Sequence, residues 1–311
     1  MTVTGGFHHT MWMLDTKVGC FAVKQLSRDI DPGDKKTVLR FETTEAVATQ
    51  FASSGIPAVC ALRFNNQAFQ TIDDTGYLVY PWVEATALHR EQIDYEHAER
   101  VAQIFAQMHS AGVHVPGLQD QEFEVHPEEK IAALVDFAHS RNSSRACELS
   151  EHLPLFFQQV ARHKKAATFL LNHRVVSHGD LDHKNVLWEK KGDPLLIDWE
   201  SARRLNPTHE IILEALDWSG ITLDFKEGLF NHFISVYLRA GGVGSFDEVE
   251  AAFHCVIGDW LNWLMYNVGR SIDLDDAEQR RVGVEQVDLA LATLLRLERI
   301  VPRLLSKLRH S

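Results

Sequence analysis

Residues 177–200 read SHGDLDHKNVLWEKKGDPLLIDWE, a polar loop set between short strand-like apolar runs. Long helical patterns flank it, LPLFFQQVARHKKAATFLL before and EIILEALDWSG after. The 24-residue stretch gathers four aspartates, two histidines and one asparagine before closing on the apolar run LLI. Two readings of such a segment compete. It is either a solvated connection between strands, or a loop whose carboxylates hold a metal and a reacting hydroxyl.

The rest of the chain falls into two textures. The first eighty residues are strand-rich. MWMLDT (11–16), the turn KVG and CFAVKQL (20–26) form a hairpin signature. DIDPGDKK (29–36) reads as loop, and a helix is expected from Thr43 through TTEAVATQFASSG with Gly55 closing it. PAVCALRF, QAFQTID and GYLVYPWV read as three further strands. Beyond Glu84 the apolar spacing becomes helical: DYEHAERVAQIFAQMHSAGV, PEEKIAALVDFAHS and LPLFFQQVARHKKAATFLL, then four more helices after the central loop. The composition shift places a boundary near residues 80–85.

Composition excludes some classes. Of 311 residues, 45% are apolar and 24% charged, as in a globular protein, and no apolar run reaches the roughly 18–20 residues of a membrane span. The net charge of −12 comes without a basic stripe, so a nucleic-acid partner is not expected. Cys20, Cys60, Cys147 and Cys255 lie far apart with no CxxC pair, which suits a reducing cytoplasm better than zinc or a disulfide framework. The N-terminus MTVTGGFHHT lacks the features of an export signal. His8 and His9 have no third ligand nearby in sequence and are expected at a solvated loop tip.

Within HGDLDHKN, His178, Asp180 and Asn185 are spaced H-x-D-x-x-x-x-N. Phosphoryl transfer asks a protein to position an alcohol in line with a γ-phosphate and to neutralise phosphate charge. An aspartate can take the alcohol's proton. An asparagine oxygen and a second carboxylate suit a hard cation such as Mg²⁺. Asp198, at the end of the apolar strand thirteen residues after Asn185, is placed to return to the same point.

These pieces resemble the aminoglycoside phosphotransferase and choline kinase group of small-molecule kinases. SHGDLDHKNVLW, LLIDWE, CFAVKQL, TTEAVATQFASSGIP, YLVYPWVEATAL and IFAQMHSAGV occur in that family's order over roughly residues 4–202. The resemblance implies an α+β, bilobal protein-kinase-like fold. Residues 1–80 would form an antiparallel-sheet lobe roofing the nucleotide, 81–84 a hinge and 85–311 a mainly helical lobe. It implies ATP and Mg²⁺ as cofactors and a small-molecule hydroxyl acceptor. Asp180 would be the base, and Asn185 and Asp198 the metal ligands. Lys24 would contact the α- and β-phosphates with Glu45 as its partner, Glu42 being the rival. Tyr80, Pro81, Trp82 and Val83 would read adenine through their backbone, and Gly5 and Gly6 would lie over the phosphates. His178 is expected to pack rather than react.

The sequence also departs from the family pattern. Only four residues precede Gly5, so either the roof over the nucleotide is short or the start site is misassigned, and GGFHHT is not G-x-G-x-x-G. Trp199–Glu200 follow the metal aspartate and no A-P-E segment appears, which argues against a protein substrate. Asp182–His183 stand where many relatives have His-Pro, touching substrate or merely solvated. The helical tail carries Glu214, Asp217, Asp259 and Asp273–Asp276 beside Trp218, Trp260, Trp263 and Tyr266. Carboxylates with aromatic walls suit an ammonium-bearing acceptor. Trp260, Trp263 and Tyr266 also sit at helical spacing, which favours a core role. Aminoglycosides, basic peptide antibiotics and choline-like amines all satisfy this description. A nucleotide-binding pseudokinase, acting as sensor or scaffold, is the alternative of a different class.

Overall fold

The computed structural model describes residues 2–3, 9–141, 143–273 and 276–309. The chain divides into two compact units, one of Met1–Asp120, Val175–Leu205 and Ser235–Gly242, the other of Gln121–Arg174, Asn206–Ile234 and Val243–Ser311.

The first unit opens with β1 (Thr2–Val3), β2 (Thr10–Thr16), β3 (Gly19–Gln25), helix α1 (Lys35–Ser53), β4 (Gln70–Ile72) and β5 (Thr75–Pro81). The strands form one antiparallel sheet in the order β1-β2-β3-β5-β4. Lys24 lies opposite Met11 on one side and Leu78 on the other. Side chains alternate across a strand, so Lys24 shares a face with Leu26, and both are buried. That face packs over a core of Leu26, Phe41, Val59, Ala68, Phe69, Leu78 and Tyr80.

Two local expectations are corrected here. Helix α1 begins at Lys35, eight residues before Thr43. Asp34 caps it by accepting from the Lys36 and Thr37 amides at 3.1 Å each. Thr43 and Thr44 bond back to the Leu39 and Phe41 carbonyls, so they serve inside the helix and not at its start. Pro32–Gly33 lie outside the cap, and Gly55, at φ 87°, follows the helix end as expected. The run PAVCALRF is not a strand. Its amides go to different elements, Val59 to the Leu196 carbonyl and Leu62 to the Val79 carbonyl, so no ladder forms.

The same unit holds β6 (Ala85–Ala87), α2 (Tyr95–Ser110), β7 (Val175–Ser177), β8 (Val186–Glu189), β9 (Pro194–Leu196) and β10 (Arg203–Leu205). Two small antiparallel sheets result, β6-β8-β9 and β10-β7.

The second unit is helical. It contains α3 (Glu128–Ser140), α4 (Ala146–Glu151), α5 (Leu153–Leu170), α6 (Pro207–Trp218), α8 (Val249–Ser271) and α9 (Ala277–Leu308), and the unit boundary falls within α7 (Glu227–Arg239). Helix α8 is the centre, packed against α3, α5, α6 and α9. Its crossing with α5 is close: a Cβ on Gly258 would stand 2.0 Å from His163 Nδ1. Val287, Ala290, Leu291, Leu294, Leu297, Val301 and Leu304 make the buried stripe of α9 at helical spacing. No described helix is long and apolar enough to cross a membrane.

Candidate active site

Between β7 and β8 the chain makes the loop anticipated around Asp180. His178 is fully buried. Its Nε2 donates to the Ile197 carbonyl at 2.9 Å, and its ring packs 4.6 Å from that of Trp199. Gly179 takes φ 79°, and a Cβ there would meet the Ser201 carbonyl oxygen at 2.3 Å. Asp182 closes the turn, its carboxylate accepting from the Lys184 amide and its carbonyl from the Asn185 amide. Asn185 Nδ2 then donates to Asp180 twice, to the carbonyl at 2.8 Å and to Oδ2 at 3.3 Å. That fixes the amide orientation and leaves Asn185 Oδ1 without a partner among the described residues. The Asn185 carbonyl accepts from the Ile197 amide at 3.0 Å, so Asp198 follows one residue from Asn185's backbone partner.

Asp198 adopts φ 64° and ψ 59°, a left-handed conformation that a non-glycine residue holds only where its surroundings impose it. Its Oδ1 accepts from Lys24 Nζ at 2.6 Å. Burial pulls the Lys24 ammonium toward the neutral form, but Asp198 and Glu200 outweigh burial and raise it above its ordinary value. A carboxylate oxygen stands next to a fixed cation, and the side-chain oxygen of Asn185 belongs to the residue whose backbone pairs with the neighbouring Ile197. This donor set fits a hard divalent ion such as Mg²⁺.

Glu45 is 3% exposed, and its carboxylate is engaged elsewhere than at Lys24. Oε1 accepts from the Tyr80 hydroxyl at 2.6 Å and Oε2 from the Ala61 amide at 3.0 Å. Burial raises the Glu45 carboxyl despite those two hydrogen bonds. Burial and the adjacent Glu45 push the Tyr80 phenol well above its usual range. The pairing of Glu45 with Lys24 is thus absent among the described ion pairs. The rival Glu42 binds Arg63 and the Phe69 amide. Of the proposed hinge, Tyr80 turns inward, the Trp82 amide donates to the Cys20 carbonyl, and the Trp82 indole donates to Glu84. Gly5 and Gly6 lie outside the described residues.

Two residues at this site were not expected there from the sequence. Glu200 Oε2 accepts from Lys24 Nζ at 3.1 Å and from His9 Nε2 at 3.1 Å. Burial alone would raise the Glu200 carboxyl, but His9 and Lys24 hold it at about 2. His9 is not at a solvated tip. Its side chain is 9% exposed, and its Nδ1 accepts from the Ser27 amide at 3.1 Å. The sequence signal for Glu200 was its place two residues after Asp198. His9 offered none, because its partners are 18 and 191 positions away.

A sequence profile of the phosphotransferase enzyme family matches residues 2–254. The chain belongs to that family. No curated protein matches it in a sequence comparison. Among solved structures it is similar to a spectinomycin phosphotransferase in complex with ADP and spectinomycin, at TM-score 0.69 and 14% identity over 94% of this chain and 92% of that one. It is also similar to a choline kinase from Streptococcus pneumoniae, at 0.58 and 17% over 94% of each chain. An aminoglycoside phosphotransferase from Alicyclobacillus acidocaldarius matches at 0.64 and 14% over 97% and 92%. These likenesses identify the fold as protein-kinase-like.

The acceptor-side candidates of this phosphotransferase-family chain behave unequally. Asp182 is tied to its own neighbour, Lys184 Nζ at 2.7 Å. Glu214 is 3% exposed on α6, while Asp217 on the same helix is half-buried. Asp259 on α8 is held at the end of a hydrogen-bond chain. The Asn206 amide donates to Gln121 Oε1, which turns Gln121 Nε2 toward His209 Nδ1 and leaves His209 Nε2 to donate to Asp259 Oδ2 at 3.0 Å. Trp263 and Tyr266 are not core, as their spacing suggested. They are 40% and 52% exposed and stack on each other with ring centroids 5.4 Å apart. Helical spacing told that they share a face, and that face of α8 is turned outward.

Proposed function

We propose that this protein is an ATP-dependent O-phosphotransferase that moves a γ-phosphate to a hydroxyl of a small, amine-bearing molecule. The observation that carries the reading is the linkage of Lys24, Asp198, Asn185 and Asp180: Lys24 donates to Asp198 at 2.6 Å, the neighbouring Ile197 amide donates to the Asn185 carbonyl, and the Asn185 side chain donates to Asp180. In this reading Asp180 orients the acceptor hydroxyl and takes its proton. Lys24 supplies positive charge to the α- and β-phosphates. Asn185 Oδ1 and Asp198 would hold Mg²⁺, which neutralises phosphate charge when bound. Residues 81–84 serve as hinge between a nucleotide-binding segment, 1–80, and the segment 85–311. The Val83 amide, free of internal hydrogen bonds among the described residues, is the adenine-reading donor.

The family assignment and the kinase-like fold support a small-molecule substrate. The exposed Trp263–Tyr266 stack, the anchored Asp259 on α8 and Asp217 on α6 offer a chemistry that suits a cationic group, and Asp182, two residues after Asp180, is a separate carboxylate candidate. The buried Glu214 is left out of this set. Aminoglycosides, basic peptide antibiotics and amino alcohols all meet that chemistry.

The test is ADP release across a panel of hydroxylated amines and antibiotics, with mass spectrometry to locate the added phosphate. Asp180→Ala is expected to lower kcat by roughly 10²–10⁴ while leaving ADP binding intact. Nucleotide binding with no turnover on any acceptor would favour the pseudokinase instead.

A further inference from the structure

We propose that Glu200, anchored by His9, is the residue that positions Lys24 in this chain, in the role that the family resemblance assigns to Glu45. The inference rests on the reading of Lys24 as the phosphate-binding cation. Both oxygens of Glu45 are already occupied, by the Tyr80 hydroxyl at 2.6 Å and the Ala61 amide at 3.0 Å. Among the described residues the ion pairs of Lys24 are with Asp198 and Glu200. Asp198 is needed for the metal, so a second carboxylate must hold the ammonium when Asp198 turns toward a cation. Glu200 is the carboxylate in contact that remains.

Glu200 is itself fixed. The Ser27 amide donates to His9 Nδ1, which places the imidazole proton on Nε2, and Nε2 donates to Glu200. Ser27 lies three residues after Lys24, just past the end of β3. The contacts therefore close a ring: Lys24 to Glu200, Glu200 to His9, His9 to Ser27, and along the backbone to Lys24. A long, flexible lysine side chain loses its freedom in such a ring, because both the ammonium's partner and the partner's anchor refer back to one strand. His9 and Glu200 act through Lys24 and are positioning residues.

A double-mutant cycle decides the matter. Glu200→Gln and Glu45→Gln are each made with Lys24 intact and with Lys24→Ala. ATP turnover is measured at saturating Mg²⁺, and ADP affinity by calorimetry with Mg²⁺ chelated. With Lys24 intact, Glu200→Gln is expected to lower kcat about tenfold with a smaller change in KM for ATP; in the Lys24→Ala background its effect shrinks below about twofold. The same coupling is expected in metal-free ADP affinity, which separates lysine orientation from metal binding. Glu45→Gln is expected to have equal effects in both backgrounds, since its partners are Tyr80 and Ala61. His9→Gln, which keeps a donor toward Glu200, retains most activity. His9→Asn, which keeps only the contact to Ser27, behaves like Glu200→Gln and replaces it should that variant fail to fold. The proposal is overturned if Glu200→Gln or His9→Asn is equally harmful without Lys24, or if Glu45→Gln is the variant coupled to Lys24. A wild-type chain that neither turns over ATP nor binds ADP overturns the reading of Lys24 itself, and the inference with it.

Discussion

Gly179 illustrates how little room the loop carrying Asp180 leaves. Any side chain there meets both a left-handed backbone and the Ser201 carbonyl at 2.3 Å. Gly179→Ala is expected to destabilise the protein by about 1–3 kcal/mol and to displace Asp180, read as a lower urea midpoint together with lost turnover. Tyr80 is a second sensitive point. Tyr80→Phe leaves the buried Glu45 with the Ala61 amide alone, which costs about 1–3 kcal/mol in chemical denaturation. Asp180, Asn185 and Asp198 were legible because a tight loop and a short hairpin fix their proximity from spacing. The partner of Glu45 was not. Tyr80 and Ala61 approach it from separate elements, and nothing in a helix sequence states which neighbour a carboxylate will meet.

At the level of elements, the alternating strands β2 and β5, the hairpin turn that leads into β3 and the long helices were readable, because burial of one face imposes a period of two or of about 3.6 residues. The failures lie where another signal overrode the pattern. Asp34 starts α1 behind a Pro-Gly pair, and PAVCALRF spends its amides on two different strands. Helix α6 shows a cap that reaches further than its own turn. Asn206 accepts from the His209 amide at 2.9 Å, while its Nδ2 donates to the Leu170 and His173 carbonyls. It is 1% exposed. Asn206→Ala removes the cap and orphans buried carbonyls, an expected loss of about 2–3 kcal/mol measurable as a shift in Tm.

For the whole molecule, the ion cluster around Lys24 makes stability depend on acid. Glu200 sits at about 2 when folded against an ordinary value of 4.5. Its folded form binds protons less readily than the unfolded chain, so its contribution is present above pH 4.5 and is lost as pH falls toward 2. Lys24, raised above 10.5, stays charged across that window. The stability difference between wild type and Glu200→Gln, followed by denaturation in chelator-containing buffers, is expected to narrow from pH 6 to pH 3; a constant difference would remove Glu200 as the cause. The amino-acid sequence by itself determined which residues lie close along the chain: the loop carrying Asp180 and Asn185, the strand end carrying Asp198, the hairpin strand carrying Lys24, and the change from strands to helices. The tertiary structure alone decided who meets whom across long separations: Lys24 with Glu200 over 176 positions, His9 with Glu200 over 191, and Glu45 with Tyr80 rather than with Lys24. The physical reason is that periodicity encodes which face of an element is buried, whereas a buried charge takes the partner that packing brings within hydrogen-bond reach.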